Sequence, residues 1–305
     1  MLALARRARS RSKTSALVAR APSGKITRPD LRLPLKGRSC RPRRRGYWIV
    51  PVLVIRSLLF NFLFYLNLIV QIIAALPTLL MPRWAIIAVA RFWARSNLWL
   101  LRAVCGINAE FRGLGKIPAG PLLVSSKHQS LWETFALLLI LPDAAYIMKR
   151  ELMWIPFFGW YAWKAGMIPI DRSRGSRALA DMNACARREL ARNRPIIIFP
   201  EGTRRPPGAE PSYKYGVARL YSQMGVPCLP IALNSGLFWP RRSIRRYPGT
   251  IVVEVLDPIP PGLGQEAFFQ RLQREVEDAT ARLVTEGKRE RTHNRTRDAS
   301  LASSP

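Results

Sequence analysis

Histidine and acidic residues are scarce in this sequence. Two histidines, His128 and His293, stand beside 19 Asp and Glu and 49 Lys and Arg, for a formal net charge of +30. A histidine-rich metal centre is therefore excluded, and no metal site is expected. His293 falls in a polar stretch near the C-terminus, so histidine chemistry must centre on His128. The four cysteines, Cys40, Cys105, Cys185 and Cys228, form no CxxC pair and no ligand spacing. They read as reduced thiols of a cytosolic setting, not as a disulfide framework. No internal repeat is present. A chain of 305 residues is long enough to bury a core without such staples.

The positive excess calls for a partner: nucleic acid, anionic lipid or a phosphate-bearing substrate. Residues 1–46 hold fifteen Lys and Arg against a single acid, Asp30. This stretch has no apolar periodicity and reads as a disordered basic arm. A transit peptide has similar composition, and a later translation start would leave the same appearance. No aromatic residue interrupts the arm before Tyr47 and Trp48, so it lacks stacking platforms, and no nucleic-acid partner is expected.

A long uncharged run follows. Ser57 to Leu80 comprises 24 residues without a charge, rich in Leu, Ile and Phe. About 20 apolar residues suffice to cross a bilayer core, so the run is long enough to span; a buried soluble helix is the alternative. Pro77 and Pro82 interrupt it and predict a bend. Arg83 to Val104 then reads as a second helix, on which Arg91, Arg95 and Arg102 fall within an arc of about 40° at about 100° per residue. Arginines on one stripe of an otherwise apolar and aromatic helix suit the membrane interface. Basic flanks on both sides favour a shallow hairpin over residues 47–106, held on the cytoplasmic side of the inner membrane.

From residue 107 to 286 the pattern alternates. Short apolar runs at Pro121–Ser125, Ala144–Met148, Met167–Ile170, Pro195–Phe199, Pro227–Ala232 and Ile251–Val255 are separated by helical patterns at Leu131–Leu141, Arg177–Ala191 and Tyr215–Met224, with a last helix at Gln265–Thr285. This predicts an α/β fold with a mostly parallel central sheet and flanking helices, preceded by the membrane-associated two-helix segment. Residues 287–305 read as a polar tail.

Two constellations carry chemistry. The first, Lys127-His128-Gln129-Ser130-Leu131-Trp132-Glu133, follows a strand and opens a helix, which puts it at the carboxyl edge of the sheet. Positions five apart diverge by about 140° on a straight helix. His128 and Glu133 therefore meet only if the histidine precedes the helix and turns back. A carboxylate beside an imidazole fixes its tautomer and stabilises the imidazolium formed on proton uptake. The second, Phe199-Pro200-Glu201-Gly202-Thr203-Arg204, sets a carboxylate, a glycine, a hydroxyl and a guanidinium after a buried strand. Glycine lets backbone amides approach a ligand, and Arg204 can grip a phosphate with two parallel hydrogen bonds. Each alone also fits a capped helix or a simple turn.

Together the two constellations resemble the motifs of the glycerolipid acyltransferases, specifically the bacterial 1-acylglycerol-3-phosphate acyltransferases. The first family motif, a histidine and an acid separated by four residues, matches His128 and Glu133, and the third, Phe-Pro-Glu-Gly-Thr-Arg, is complete at 199–204. Lys149-Arg150-Glu151-Leu152 with Ile155 to Gly159, followed by Ile170-Asp171-Arg172, is similar to the second motif; Val226 to Ala232 resembles the fourth. The resemblance covers roughly residues 85–260. It departs from the family at two positions, with Glu133 where Asp is usual and Lys127 where Asn is common.

The resemblance implies transfer of a fatty acyl group from acyl-CoA or acyl carrier protein to the 2-hydroxyl of lysophosphatidic acid, giving phosphatidic acid. His128 would act as general base with Glu133 as its partner. Arg204 would hold the acceptor phosphate, with Lys149 or Arg150 as second cation, Arg172 as a weaker candidate, and Glu201, Gly202 and Thr203 shaping the site. Partners would be membrane lipids, lysophosphatidic acid and the acyl donor, with no bound cofactor. Other acceptors, such as a lyso-ornithine lipid, and a thioester hydrolase on a similar sheet are alternatives within this chemistry. A membrane-bound basic binding protein is the alternative outside it.

Overall fold

The structure is a computed structural model that describes residues 49–171 and 175–301. The basic arm, Cys40, Arg172 and the last four residues lie outside the described residues. Seven strands form one sheet: β1 (Ile107–Arg112), β2 (Leu123–Ser126), β3 (Ala145–Lys149), β4 (Ile168–Ile170), β5 (Ile196–Ile198), β6 (Cys228–Leu233) and β7 (Gly249–Val255). Their spatial order is β1-β7-β6-β2-β5-β3-β4. All neighbours run parallel except β6 and β7. The mostly parallel sheet follows from strands such as Ile196-Ile197-Ile198, apolar at every position because both faces are covered.

Period-2 alternation sorts these side chains into two cores. Val124, Ile197, Leu229 and Ile251 face one side, and Leu123, Ile196, Ile198 and Cys228 face the other. The second side is covered by α5 (Ser176–Ala191), α6 (Gly216–Met224) and α8 (Gln265–Leu301). The first is covered by α1 (Ile49–Ala74), α2 (Arg83–Leu100) and α3 (Trp132–Ile140). The N-terminal hairpin is thus a layer of the α/β body, not a separate appendage. Phe60 and Phe64 of α1 meet Trp239 edge-on, with ring centroids 5.4 and 5.6 Å away, and Trp93 of α2 meets Phe135 of α3 at 5.3 Å. Such aromatic pairs add to the stabilisation from buried area.

Between the two helices the chain makes a 3-10 turn at Leu76–Leu79, and α2 begins just after Pro82, where the prolines predicted a bend. Of the arginine stripe, Arg95 on α2 and Arg102 in the helical turn just after it are exposed, while Arg91 is half-buried.

Three elements differ from what the sequence predicts. β1, too polar to register as a strand, pairs with β7 over six residues. A short helix, α4 (Phe158–Lys164), has Gly159 in its first turn, packed so close that any side chain at 159 would collide with the Met153 carbonyl. The last helix, expected to give way to a tail, continues to Leu301. Its extra turns are tied to the sheet: Glu286 takes a two-pronged bond from Arg112 at 2.7 and 2.9 Å, and Glu290 accepts from the amide and hydroxyl of Thr250 at 3.0 and 2.9 Å. Tertiary contacts thus sustain a helix that lacks an apolar period.

Candidate active site

β2 lies at the middle of the sheet, between β5 and β6, and its carboxyl end delivers Lys127 and His128 to the edge where α/β folds bind ligands. α3 starts only at Trp132, so His128 sits before the helix. Glu133, on the first turn, curls back toward it. Its Oε1 accepts from the backbone amides of Gln129 and Ser130, both at 2.7 Å, and lies 2.9 Å from His128 Nδ1. Its Oε2 accepts from the Ser235 hydroxyl at 2.8 Å. The Glu133 carboxylate therefore gathers four donors while fully buried. Glu133 also lies in the first turn of α3, where the helix amides favour a negative group.

With Nδ1 facing an acceptor, the proton belongs on Nδ1 and Nε2 carries the lone pair. Nε2 has no hydrogen-bond partner among the described residues, and the side chain is 14% exposed, open toward the edge. The imidazole stacks on Phe199, with centroids 4.2 Å apart and planes 21° apart. It is thus held by a carboxylate on one ring edge and an aromatic face on another side.

The loop after β5 supplies the second half. Glu201 is buried; its Oε2 accepts from the His128 amide at 3.0 Å and its Oε1 from Lys127 Nζ at 2.9 Å. Lys127 Nζ also reaches Glu277 of α8 at 2.6 Å. Burial raises the Glu201 carboxyl above the usual carboxylate range, against the pull of Lys127. Gly202 turns the chain with φ 65°, in the left-handed region that favours glycine. Thr203 is exposed and Arg204 half-exposed. The Arg204 guanidinium has no hydrogen bond or ion pair among the described residues, although its carbonyl accepts from Arg241 at 2.7 Å. The Arg205 amide closes the loop onto the His128 carbonyl at 2.8 Å.

The structure brings His128, Glu133 and Glu201 into one bonded cluster and sets Gly202, Thr203 and Arg204 in the loop beside it. Lys149 and Arg150 stand apart from that cluster. They leave β3, two strands from β2 and so roughly 10 Å away. Lys149 pairs with Glu151 at 2.7 Å and Arg150 with Asp171 at 2.9 Å. Exposed pairs of this kind contribute little and exchange readily.

Four residues of the site are not evident from sequence. Ser235 follows β6, the other neighbour of β2, and its position at the same edge was the available signal. Lys127 stood in the first constellation without a role and as a departure from the family, and Glu277, 150 residues away, gave no signal. Tyr146 of β3 is buried with its hydroxyl unpartnered, its phenol pushed up by burial and by the Glu133 charge. Among the described residues no three His, Cys, Asp or Glu side chains gather as metal ligands.

Comparison with known proteins points to one family. A family model described as Acyltransferase matches residues 108–234, which hold both constellations. A 1-acyl-sn-glycerol-3-phosphate acyltransferase of Pseudomonas aeruginosa is 41% identical over 188 residues, 61% of this chain and 73% of that protein. The alpha form of the same enzyme from Mus musculus is 37% identical over 169 residues, 53% of this chain and 59% of that one. The crystal structure of the 1-acyl-sn-glycerophosphate (LPA) acyltransferase PlsC from Thermotoga maritima superposes with a TM-score of 0.63 at 26% identity, covering 77% of this chain and 97% of that one. By its paired motifs, its fold and these relatives, the chain belongs to the 1-acyl-sn-glycerol-3-phosphate acyltransferase family.

Proposed function

We propose that this protein acylates the sn-2 hydroxyl of 1-acylglycerol-3-phosphate, taking the acyl group from acyl-CoA or acyl carrier protein and giving phosphatidic acid. The observation that carries this reading is the His128–Glu133 dyad, with Nε2 unpartnered beside an arginine loop. The acceptor hydroxyl gives its proton to Nε2 as its oxygen attacks the thioester carbonyl. A C–O bond forms, the tetrahedral intermediate collapses with cleavage of the C–S bond, and the imidazolium returns the proton to the departing thiolate. Glu133 stabilises the imidazolium between these steps. No acyl-enzyme is needed.

Arg204 holds the acceptor phosphate, supported by its unpaired guanidinium. Glu201, Gly202 and Thr203 shape the loop that presents it. Lys149 or Arg150 serves as second cation by releasing Glu151 or Asp171.

In this reading residues 1–46 are a basic arm, 47–106 an in-plane anchor and 107–286 the acyltransferase body. Pro51–Ala74 is long and apolar enough to cross a membrane, spanning about 36 Å as a helix. Yet α1 bonds to the same body at its middle and at its C-terminal end: Ser57 and Asn61 to Arg246 at 2.9 and 2.8 Å, and the Ile72 carbonyl to the Tyr161 hydroxyl at 2.6 Å. That supports a helix reclined in one leaflet. Basic flanks favour the cytoplasmic face of the inner membrane. Acceptor and product then stay at headgroup level.

The test is a radiolabelled acyl-transfer assay with purified protein, comparing lysophosphatidic acid, glycerol-3-phosphate and other lysolipids against both donors. Transfer to lysophosphatidic acid, abolished in folded and membrane-bound His128→Ala, is the expected result. Undiminished turnover in that variant overturns the mechanism. A preference for a phosphate-free lysolipid reassigns the acceptor.

A further inference from the structure

Between α7 (Ser235–Phe238) and β7 the chain reads Arg241-Arg242-Ser243-Ile244-Arg245-Arg246, four arginines around one isoleucine. Arg241, Arg242 and Arg245 are exposed, and no acid pairs with them among the described residues. Ile244 is 57% exposed. Arg246 is the opposite case. It is buried, lies 4.3 Å above the Trp239 ring, and bonds to α1 by donating its amide to Ser57 and a guanidinium N–H to Asn61. Asn61 in turn donates to the Ile244 carbonyl at 3.0 Å. One arginine thus fastens the loop to the anchor helix, and the other three have no acidic partner among the described residues.

Where the loop is fastened gives the three a partner. Ile55, Leu58, Phe62, Leu66, Ile69 and Ile73 of α1 are exposed and lie within about 80° of one another at about 100° per residue. Asn61 borders that apolar face, about 60° from the direction of Leu58. If the apolar face rests in the acyl region, a loop on its flank lies at headgroup depth. There, arginines meet lipid phosphates and an isolated isoleucine enters the interface. Arg242 holds a left-handed φ of 56°, a conformation that favours glycine or asparagine, at the turn that displays the cluster.

We propose that loop 241–246 is an anionic-lipid contact, in which Arg241, Arg242 and Arg245 engage headgroup phosphates of the leaflet that holds α1. The inference rests on the in-plane anchor proposed above. Arg241 also donates to the Arg204 carbonyl, so the lipid contact adjoins the loop assigned to the acceptor phosphate.

The test measures partition of the purified full chain onto phosphatidylcholine vesicles with and without phosphatidylglycerol. Neither vesicle contains acceptor or thioester, so the result is independent of acyl transfer. Wild type is expected to favour the anionic vesicles, and added salt to weaken the preference. Near an anionic surface each arginine changes affinity roughly fivefold, so Arg242→Gln/Arg245→Gln lowers partition onto anionic vesicles by about thirtyfold. Binding to neutral vesicles stays as it was, and Arg242→Lys/Arg245→Lys keeps the preference. Wild-type partition by the Gln pair overturns the proposal, as does an equal loss on neutral vesicles. Retained lipid preference with lost affinity for acyl carrier protein overturns it in favour of a protein partner. Failure of wild type to bind either vesicle overturns both the loop contact and the in-plane anchor.

Discussion

The Ser235 hydroxyl donates to Glu133 Oε2 at 2.8 Å, joining residues 102 positions apart in the chain. Both side chains are buried, and Ser235 bonds to the oxygen that His128 does not use. It therefore acts through Glu133, fixing the plane of the carboxylate that orients the imidazole. Ser235→Ala should lower kcat by about tenfold, as expected for loss of one hydrogen bond of about 1.5 kcal/mol to a charged group. KM for lysophosphatidic acid should stay within experimental error, and the acid limb of the pH–rate profile should shift. Ser235→Thr, which keeps the hydroxyl, should restore most of the rate. A serine that merely fills space would leave the profile in place.

Glu133 occupies a position where aspartate is usual in the family, and its extra methylene has a visible use. The carboxylate reaches back to three donors that precede the helix and across to a fourth. Shortening it by one methylene moves the carboxylate by about the length of a carbon–carbon bond, which breaks some of these bonds and lengthens others. Glu133→Asp is expected to reduce kcat/KM by roughly 10- to 100-fold, one or two lost charge-assisted bonds. Undiminished activity would mean that the backbone around His128 adapts to either acid.

Much of this was legible because it is local or periodic. The triple isoleucine of β5, the strand-to-helix corner at His128 and the Phe199–Arg204 loop are contiguous in sequence, so residue type and spacing sufficed. The uncharged run of α1 was equally plain, but its packing was not. Phe60 and Phe64 are as apolar as Phe62, and only the fold decides that the first two enter the core while the third faces outward. Lys127 is the instructive case. By type it belongs on a surface, and it is buried because Glu201 and Glu277 arrive from two distant elements. Long-range pairing of this kind leaves no local pattern.

That pairing is testable through stability. Lys127→Met leaves two carboxylates without their cation, and breaking a buried pair costs about 3–5 kcal/mol. Burial already raises the Glu201 carboxyl above its ordinary range, and loss of Lys127 raises it further. A carboxyl whose folded pKa lies above its unfolded value stabilises most when protonated, and that contribution is lost as pH rises through the folded pKa. The variant's deficit in denaturant unfolding should therefore grow as pH rises above the ordinary carboxylate range. A deficit independent of pH would show that Glu201 stays in one protonation state throughout, with the loss arising from packing alone.

Arg194 offers a stability test remote from the chemistry. It is fully buried, bonds through Nε to the Asp143 carbonyl at 2.9 Å and through Nη2 to that of Ala165 at 2.7 Å, and pairs with Glu189. One guanidinium thereby ties the loop before β3 to the turn before β4 and to the end of α5. Arg194→Met removes the buried cation and leaves Glu189 with only the exposed Arg192 at 3.1 Å, and breaking the buried pair costs about 3–5 kcal/mol. The unfolding midpoint should fall while acyl transfer by the remaining folded protein is unchanged.

Arg204 separates binding from chemistry. Its guanidinium has no partner among the described residues, so replacing it disturbs no ion pair and its effect can be read on substrate alone. A two-pronged arginine–phosphate contact is made in ground state and transition state alike, so its loss should raise KM for lysophosphatidic acid by about 10- to 100-fold with a smaller change in kcat. KM for the acyl donor should stay constant. Arg204→Lys keeps the charge and loses the fork, and should recover only part of the loss. If Arg204→Gln instead weakens the acyl donor, the loop grips the phosphates of the thioester carrier, and the acceptor must be held by Lys149 or Arg150 at the end of β3.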